Sequence, residues 1–362
     1  MPTARIPILI TGGCGFLGTE IVSALLSSSR YAITVIDINP PALGTSTFTQ
    51  HVRYVRCNVL DLPSLESVLA ETAPAVVVHT VGVYRLGAAR YSMVGKEAEF
   101  QVNVEGTRNV VESAKKCGAR GLVYTSSVTV VLDEMGVDFR NVDERWPTGR
   151  ATTSYGQSKT LAEDIVLASN TPTFSTCSLR LSPILGPYDP TVIPTLYSCI
   201  SQFQTPFILG TSTTALQDYI YVSNAADAHV LAVHNLLGPQ TAAGEAFFVT
   251  NGQPLPLRHI CLAVWKEFGH APPFELQIPE NMAWVLGAVA EAGAWLTGSE
   301  TALSRGVVDD ACRQRYVSIT KARAVLGYKP RVSLEEGIRR SCEWYKGVLG
   351  SRQVRKERGG WS

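Results

Sequence analysis

Tyr155 and Lys159 stand four residues apart in the stretch TSYGQSKTLAED (153–164). On a helix this spacing sets a phenol and an ammonium on one face. A free tyrosine, with a pKa of about 10, is a poor base at neutral pH. A nearby ammonium stabilises the phenolate and lowers that pKa. The phenol can then take the proton of an alcohol as hydride leaves the adjoining carbon. On an exposed turn the same pair would do nothing, so its neighbours decide the reading. A hydroxyl from Ser127, at the end of the strand-like GLVYTSS (121–127), would orient the reacting oxygen. Ser126 and Thr125 are rivals, because a slip of one residue turns a different side chain toward the cleft.

Departing hydride needs an acceptor, and ITGGCGFLG (10–18) offers a place for one. Gly12, Gly15 and Gly18 lie between a strand-like and a helix-like segment. Glycine lets the backbone turn tightly and approach a pyrophosphate seated on the helix N-terminus. Asp37 closes the next strand, TVID, where a carboxylate accepts both ribose hydroxyls of an adenosine and repels a 2′-phosphate. No arginine follows it immediately, which favours NAD over NADP. Asn58 and Val59 end the third strand, where the adenine would lie.

The elements that must position these groups alternate. Strand-like segments at 6–11, 32–37, 52–59, 75–82, 121–127 and 175–182 are separated by helix-like ones near 16–27, 62–71, 97–117 and 155–169. Continuous Val/Ile runs between helices predict a parallel sheet covered on both faces. The expected fold is α/β, a Rossmann-type doubly wound sheet over residues 1–185, with a smaller substrate lobe over 186–346. The segment 217–237, a strand and then a helix, is expected to return to the first domain. Residues 347–362 read as a basic, frayed tail.

The 362 residues contain 45% hydrophobic side chains and a net charge of +1, enough for a large core and no nucleic-acid footprint. Eight cysteines are scattered without CxxC pairing, which reads as buried free thiols in a reducing compartment. The six histidines show no metal-binding spacing, so no metal is expected. No signal peptide is visible. The apolar run 282–297 carries Glu291 and is short for a membrane span. It reads as a packed helix of the second lobe, or as one lying on a membrane surface.

Taken together, TGGCGFLG, NVEGTRNVVESAKKCG, LVYTSSVTVV, DERWP and SYGQSKTLAED resemble the extended short-chain dehydrogenase/reductase superfamily. YVSNAADAHVLA, EAFFVTNGQPLP and ITKARAVLGYKPRVSLEEGIRRSCEW narrow the resemblance to the 3β-hydroxysteroid dehydrogenase family, on the side of its decarboxylating sterol-4α-carboxylate 3-dehydrogenases. The resemblance covers residues 6–346. It implies that Gly12, Gly15, Phe16, Leu17 and Gly18 form the pyrophosphate turn, Asp37 holds the ribose, and Asn58 and Val59 face the adenine. Asn58 stands where the family usually has Asp. The resemblance further implies that Thr80, Val81 and Gly82 line the cofactor, with Asn103 beside them. Ser127, Tyr155 and Lys159 match the catalytic set, Lys159 also holding the nicotinamide ribose, and the backbone from Leu181 to Ile184 matches the segment at the carboxamide. One departure bears on substrate choice. The family's Leu-Arg-Pro and Gly-Pro-Gly-Asp-Arg are here Leu179-Arg180-Leu181-Ser182-Pro183 and Gly186-Pro187-Tyr188-Asp189-Pro190.

The expected activity is NAD-dependent oxidation of a 3β-hydroxyl on a sterol, triterpenoid or meroterpenoid, with loss of a C4 carboxylate as CO2. A 3-ketoreductase or a hydroxysteroid dehydrogenase/isomerase is the alternative, and a non-catalytic dinucleotide sensor is the competitor from another class. The expected setting is cytoplasmic, with peripheral contact on the cytosolic face of the endoplasmic reticulum. Relatives imply a homodimer through helices 97–117 and 154–169.

Overall fold

The computed structural model describes residues 5–297, apart from 92 and 94, and residues 301–358. Seven strands form the main sheet: β1 (Ile6–Thr11), β2 (Tyr31–Asp37), β3 (Val52–Arg56), β4 (Val76–His79), β5 (Gly121–Ser127), β6 (Ser175–Leu181) and β7 (Glu245–Val249). All are parallel, in the order β7-β6-β5-β4-β1-β2-β3. The sheet is buried on both faces, which is why its strands read as unbroken Val/Ile runs. The strand order reverses between β1 and β4, and a crevice above that point is where open α/β sheets take their ligands.

The helices are α1 (Phe16–Leu26), α2 (Leu62–Thr72), α3 (Gly106–Lys116), α4 (Ser154–Ala168), α5 (Val192–Ser201), α6 (Val222–Leu237), α7 (Leu257–Glu267), α8 (Glu280–Thr297), α9 (Arg305–Cys312) and α10 (Leu334–Arg358). On one face α2, α3 and α4 cover the sheet through Leu65, Val110, Ala162 and Val166; on the other, α1 and α6 pack together through Ile21, Val22, Ala225 and Ala232.

Two expectations about chain organisation change. The main sheet recruits residues 245–249 as its edge strand, so the first domain reclaims more of the late chain than 217–237 alone. The stretch expected to fray instead continues α10 as far as Arg358, and 359–362 lie outside the described residues.

The chain therefore passes repeatedly between the sheet and the smaller lobe, and the passages are tied together. Buried Asp218 accepts hydrogen bonds from Val317 N (2.8 Å) and the Thr250 hydroxyl (3.3 Å). Asn251 donates its backbone N–H to Tyr219 O and accepts from Tyr221 N through its side chain.

Candidate active site

The glycine turn joins β1 to α1 at the switch point. Gly12 has φ +71°, a left-handed conformation that a side chain would strain. A Cβ on Gly18 would strike the Gly12 carbonyl and lie 2.6 Å from Gly13 Cα, so the helix can approach the turn this closely only without one. A Cβ on Gly15 would meet only Gly12 O, and Gly15 is exposed. The α1 N-terminus has no side-chain cap and no acidic residue in its first turn. Its orphan N–H groups are left to an external anion. Phe16 and Leu17 open this helix, and the Phe16 ring reaches the backbone at Gly186.

Asp37 stands beside the turn. Its carboxylate accepts from Cys14 N and from Asn39 N, both at 3.0 Å. Asn58 is exposed and uses its side-chain oxygen on Leu60 N, leaving its NH2 outward; Val59 is buried beneath it against Gly106. Thr80 bonds back to Thr11 O at 2.7 Å, and Val81 and Gly82 continue along the open edge. Buried Asn103 sits in a π-helical turn, Gln101–Glu105, and clamps the following loop by accepting from Val83 N and donating to Val83 O. It also donates to Ser158. Leu181 O receives Val128 N, and Ile184 pairs with Ile220. An uncapped, partly positive helix end, a carboxylate beside it and an exposed glycine in the turn fit a dinucleotide carrying free ribose hydroxyls.

Tyr155 lies in the first turn of α4. Thr153 caps this helix by accepting from Gly156 N, and donates its own hydroxyl to the buried Asp133 carboxylate at 2.6 Å. Of the three hydroxyls of β5, that of Ser127 draws the Tyr155 pKa down, and its oxygen accepts from Thr129 N at 3.2 Å. Thr125 is engaged by His229 Nε2 at 2.8 Å, and the Ser126 oxygen is buried without a partner among the described residues.

Lys159 is buried one helical turn below. It donates to Thr125 O at 2.6 Å and lies over the Tyr124 ring, 4.3 Å from its centroid. Burial draws its ammonium down to about 7, and Glu163 opposes that shift. Tyr155 itself is pushed above the ordinary phenol range, first by burial and then by Tyr84; Arg90 and the Ser127 hydroxyl act the other way, while Asp133 adds to the rise. Below the site, Glu163 forms a buried ion pair with Arg180 at 2.6 Å and also accepts from Ser178, fixing α4 against β6.

Sequence reasoning missed a second tier on the loop between β4 and α3. The Tyr84 ring meets Tyr155 edge-on, with centroids 6.0 Å apart. Arg85 donates to Ser154, whose hydroxyl in turn donates to Glu99. Arg90 reaches Asp133 at 3.3 Å and Asp310 of α9 at 3.8 Å. These residues sit in irregular chain and a short 3₁₀ turn, Gly87–Tyr91, with no periodicity to betray them. The Thr153 cap was legible, as a threonine just before a helical run.

Comparison with known proteins bears on the family and the fold. The model of the 3-beta hydroxysteroid dehydrogenase/isomerase family matches residues 9–280. The sterol-4-alpha-carboxylate 3-dehydrogenase, decarboxylating, of Schizosaccharomyces pombe is 36% identical over 335 residues, 92% of this chain and 95% of that protein. The 2-alkyl-3-oxoalkanoate reductase of Stenotrophomonas maltophilia is 31% identical, over 92% of this chain and 97% of its own. Among solved structures, the NAD complex of UDP-glucose 4-epimerase from Thermus thermophilus superposes with a TM-score of 0.71 at 22% identity, covering 94% of this chain and 99% of that one, a likeness of fold. On the strength of the family match and of relatives above 30% identity along almost the whole length, this chain belongs to the 3-beta hydroxysteroid dehydrogenase/isomerase family.

Proposed function

We propose that the protein is an NAD-dependent dehydrogenase that oxidises the 3β-hydroxyl of a 4α-carboxylated sterol or related terpenoid and releases the carboxylate as CO2. The observation that carries this reading is the placement of Ser127 at the end of β5 and Tyr155 in the first turn of α4, with an uncapped glycine turn at the sheet's switch point. The S. pombe relative supplies the substrate class, since its name specifies a sterol 4-alpha-carboxylate and a 3-hydroxyl. The bacterial relative acts on a 3-oxo acid, and so shares one chemistry with it: a carboxylate on the carbon next to the carbinol or carbonyl.

Gly12, Gly15, Gly18, the α1 N-terminus and Asp37 would hold NAD, which accepts the hydride from C3. Ser127 holds the substrate oxygen, and the Tyr155 oxygen removes its proton. Lys159 lies within 4 Å of where a side chain on Gly82 would begin, placing it to engage the nicotinamide ribose. The product of oxidation is a β-keto acid. Its C4–carboxylate bond breaks with the electron pair flowing into the new carbonyl, so no separate decarboxylase residue is required. Tyr155, now protonated, and Ser127 face the resulting enolate oxygen. The proton taken from the hydroxyl equals the one C4 gains, and the overall reaction releases no proton.

The test is one assay with NAD and a 3β-hydroxy-4α-carboxysterol, following NADH absorbance and product mass together. NADH formation with loss of the CO2 mass is the expected result. NADH with loss of only two hydrogens would reduce the enzyme to a plain 3-hydroxyl dehydrogenase, and no turnover with intact NAD binding would remove the sterol assignment.

We also propose that the protein lies on a lipid surface. Among the described residues no helix is long and apolar enough to cross a membrane. Helix α8 instead buries only Ala283 and Gly287, against α9, and leaves Met282, Val285, Leu286, Val289 and Leu296 exposed along one stripe. Trp295 is 82% exposed, and Phe203 and Phe274 of neighbouring loops are exposed as well. Large apolar side chains with interfacial tryptophan suit a helix lying in a headgroup layer. Replacing Val285 and Val289 by Asp is expected to abolish co-sedimentation with phosphatidylcholine vesicles while leaving NAD binding intact. Equal sedimentation of wild type and variant would remove the membrane assignment.

A further inference from the structure

The proposed substrate carries a carboxylate beside its reacting carbon, and something on the protein must meet that charge. Resting on that reading, we propose that Arg90 is the residue that receives the substrate carboxylate.

Arg90 belongs to a cluster of four charges with Asp133, Asp310 and Arg315. Three of the four are committed. Asp133 is 1% exposed, accepts from Thr153 and lies 3.7 Å from Arg315. Arg315 is 7% exposed, donates to Leu132 O and pairs with Asp310 at 3.2 Å. Asp310 also accepts from the Tyr91 hydroxyl at 3.0 Å.

Arg90 differs. Its side chain is 32% exposed. One of its terminal nitrogens makes a hydrogen bond to Asp133 at 3.3 Å, and the other stands 3.8 Å from Asp310, beyond hydrogen-bond reach. Its Nε, like that of Arg315, is buried without a hydrogen-bond partner among the described residues. A guanidinium carries five N–H donors in a rigid fork, and charge-assisted pairs normally close to about 2.7–2.9 Å. Arg90 is thus anchored but largely unused, with donors left for a bidentate carboxylate.

Its position suits the chemistry. Arg90 is fixed to Asp133, Asp133 to Thr153, and Thr153 caps the helix whose first turn carries Tyr155. The distance between the guanidinium and the phenol is therefore set by packing and not by a flexible loop. The Tyr155 phenol and the Tyr219 hydroxyl both feel the guanidinium charge. A carboxylate one carbon from the carbinol must lie close to whichever base takes the carbinol proton, and Arg90 is a cation whose charge reaches Tyr155. A clamp of this kind also separates substrate from product. Once CO2 has left, the ligand no longer carries the anion, and the hold on it is released.

The test compares two substrates, a 3β-hydroxy-4α-carboxysterol and the same 3β-alcohol without the carboxylate, in wild type, R90Q and R90K. The readout is the ratio of their kcat/KM values. R90Q is expected to lower the preference for the acid about 10- to 100-fold, chiefly through KM, the worth of a hydrogen-bonded charge pair. R90K, which keeps the charge and loses the fork, is expected to give an intermediate ratio and to control for folding. Equal losses on both substrates, with the ratio unchanged, would overturn the proposal, as would a wild type indifferent to the carboxylate. A wild type inert toward both alcohols would overturn the sterol reading, and this proposal with it.

Discussion

Tyr155→Phe is expected to lower the rate of 3β-alcohol oxidation by about 1,000-fold or more while changing NAD affinity by less than about threefold. The substitution removes one oxygen and keeps the ring, so the edge-on contact with Tyr84 and the Thr153 cap are retained. The lost oxygen is the one whose pKa Ser127 draws down. Ser127 cannot replace it, because a hydroxyl with no base behind it does not take a proton at neutral pH. Lys159 cannot easily replace it either, since its nitrogen is engaged by Thr125 O, one turn below.

The pH profile makes the claim sharper. Tyr155 works as a base only when deprotonated, and burial holds its pKa above the ordinary phenol value in the free protein. Activity in the wild type is therefore expected to rise with pH and to fall as pH drops through the pKa of the bound state. NAD brings positive charge beside the phenol and moves that limb to lower pH. The limb should be absent from whatever residual rate the Phe variant retains. Stopped-flow NADH absorbance and calorimetric NAD titration read the two quantities separately. A variant retaining more than about a tenth of the wild-type rate would show that the phenol is not the base.

Gly18→Ala is expected to be the more damaging substitution for the cofactor site, although it adds a single methyl group. That methyl would collide with the Gly12 carbonyl and Gly13 Cα, which are backbone atoms and have no rotamer to escape into. Either α1 moves away from the turn or the turn opens. Both changes are resisted, because Leu17, Ile21, Val22 and Leu25 hold α1 in the core against the sheet and α6. Overpacking of this kind costs about 1–3 kcal/mol of stability. Displacing the helix N-terminus also removes the N–H groups that would meet the pyrophosphate, so NAD affinity is expected to fall about 100-fold, equivalent to roughly 3 kcal/mol. Thermal melts with and without NAD measure both effects. An unchanged melting temperature together with unchanged NAD affinity would contradict the packing shown at this turn.

Much of the cofactor half was legible in the sequence because its signals are local. A buried parallel strand is a Val/Ile run, a phosphate turn needs glycine at fixed offsets, and Tyr155 and Lys159 share a helix. The choice among Thr125, Ser126 and Ser127 was not legible, since it depends on which hydroxyl the last residues of β5 turn toward α4. Arg90, Asp133 and Asp310 were invisible for a different reason. They lie 43 residues apart in one step and on opposite lobes in the next, and only tertiary packing makes them neighbours. The i,i+4 spacing of Tyr155 and Lys159 fixes a face of the helix, but not where a long side chain ends: Lys159 ends at Thr125 O. The edge strand at 245–249 was recognised as a strand, but nothing in a short apolar run names the sheet that will take it.

The bonds centred on Asp218, Thr250 and Asn251 bear on how the protein can move. Two-lobed enzymes often enclose a ligand by swinging one rigid half about a single linker whose few residues absorb the rotation. Here several separate passages of chain run between the halves, and they are bonded to one another at Val317, Tyr219 and Tyr221. A rotation of one half would have to shear all of them at once. A polycyclic ligand is therefore admitted by small local displacements at the crevice and not by the swing of one half against the other.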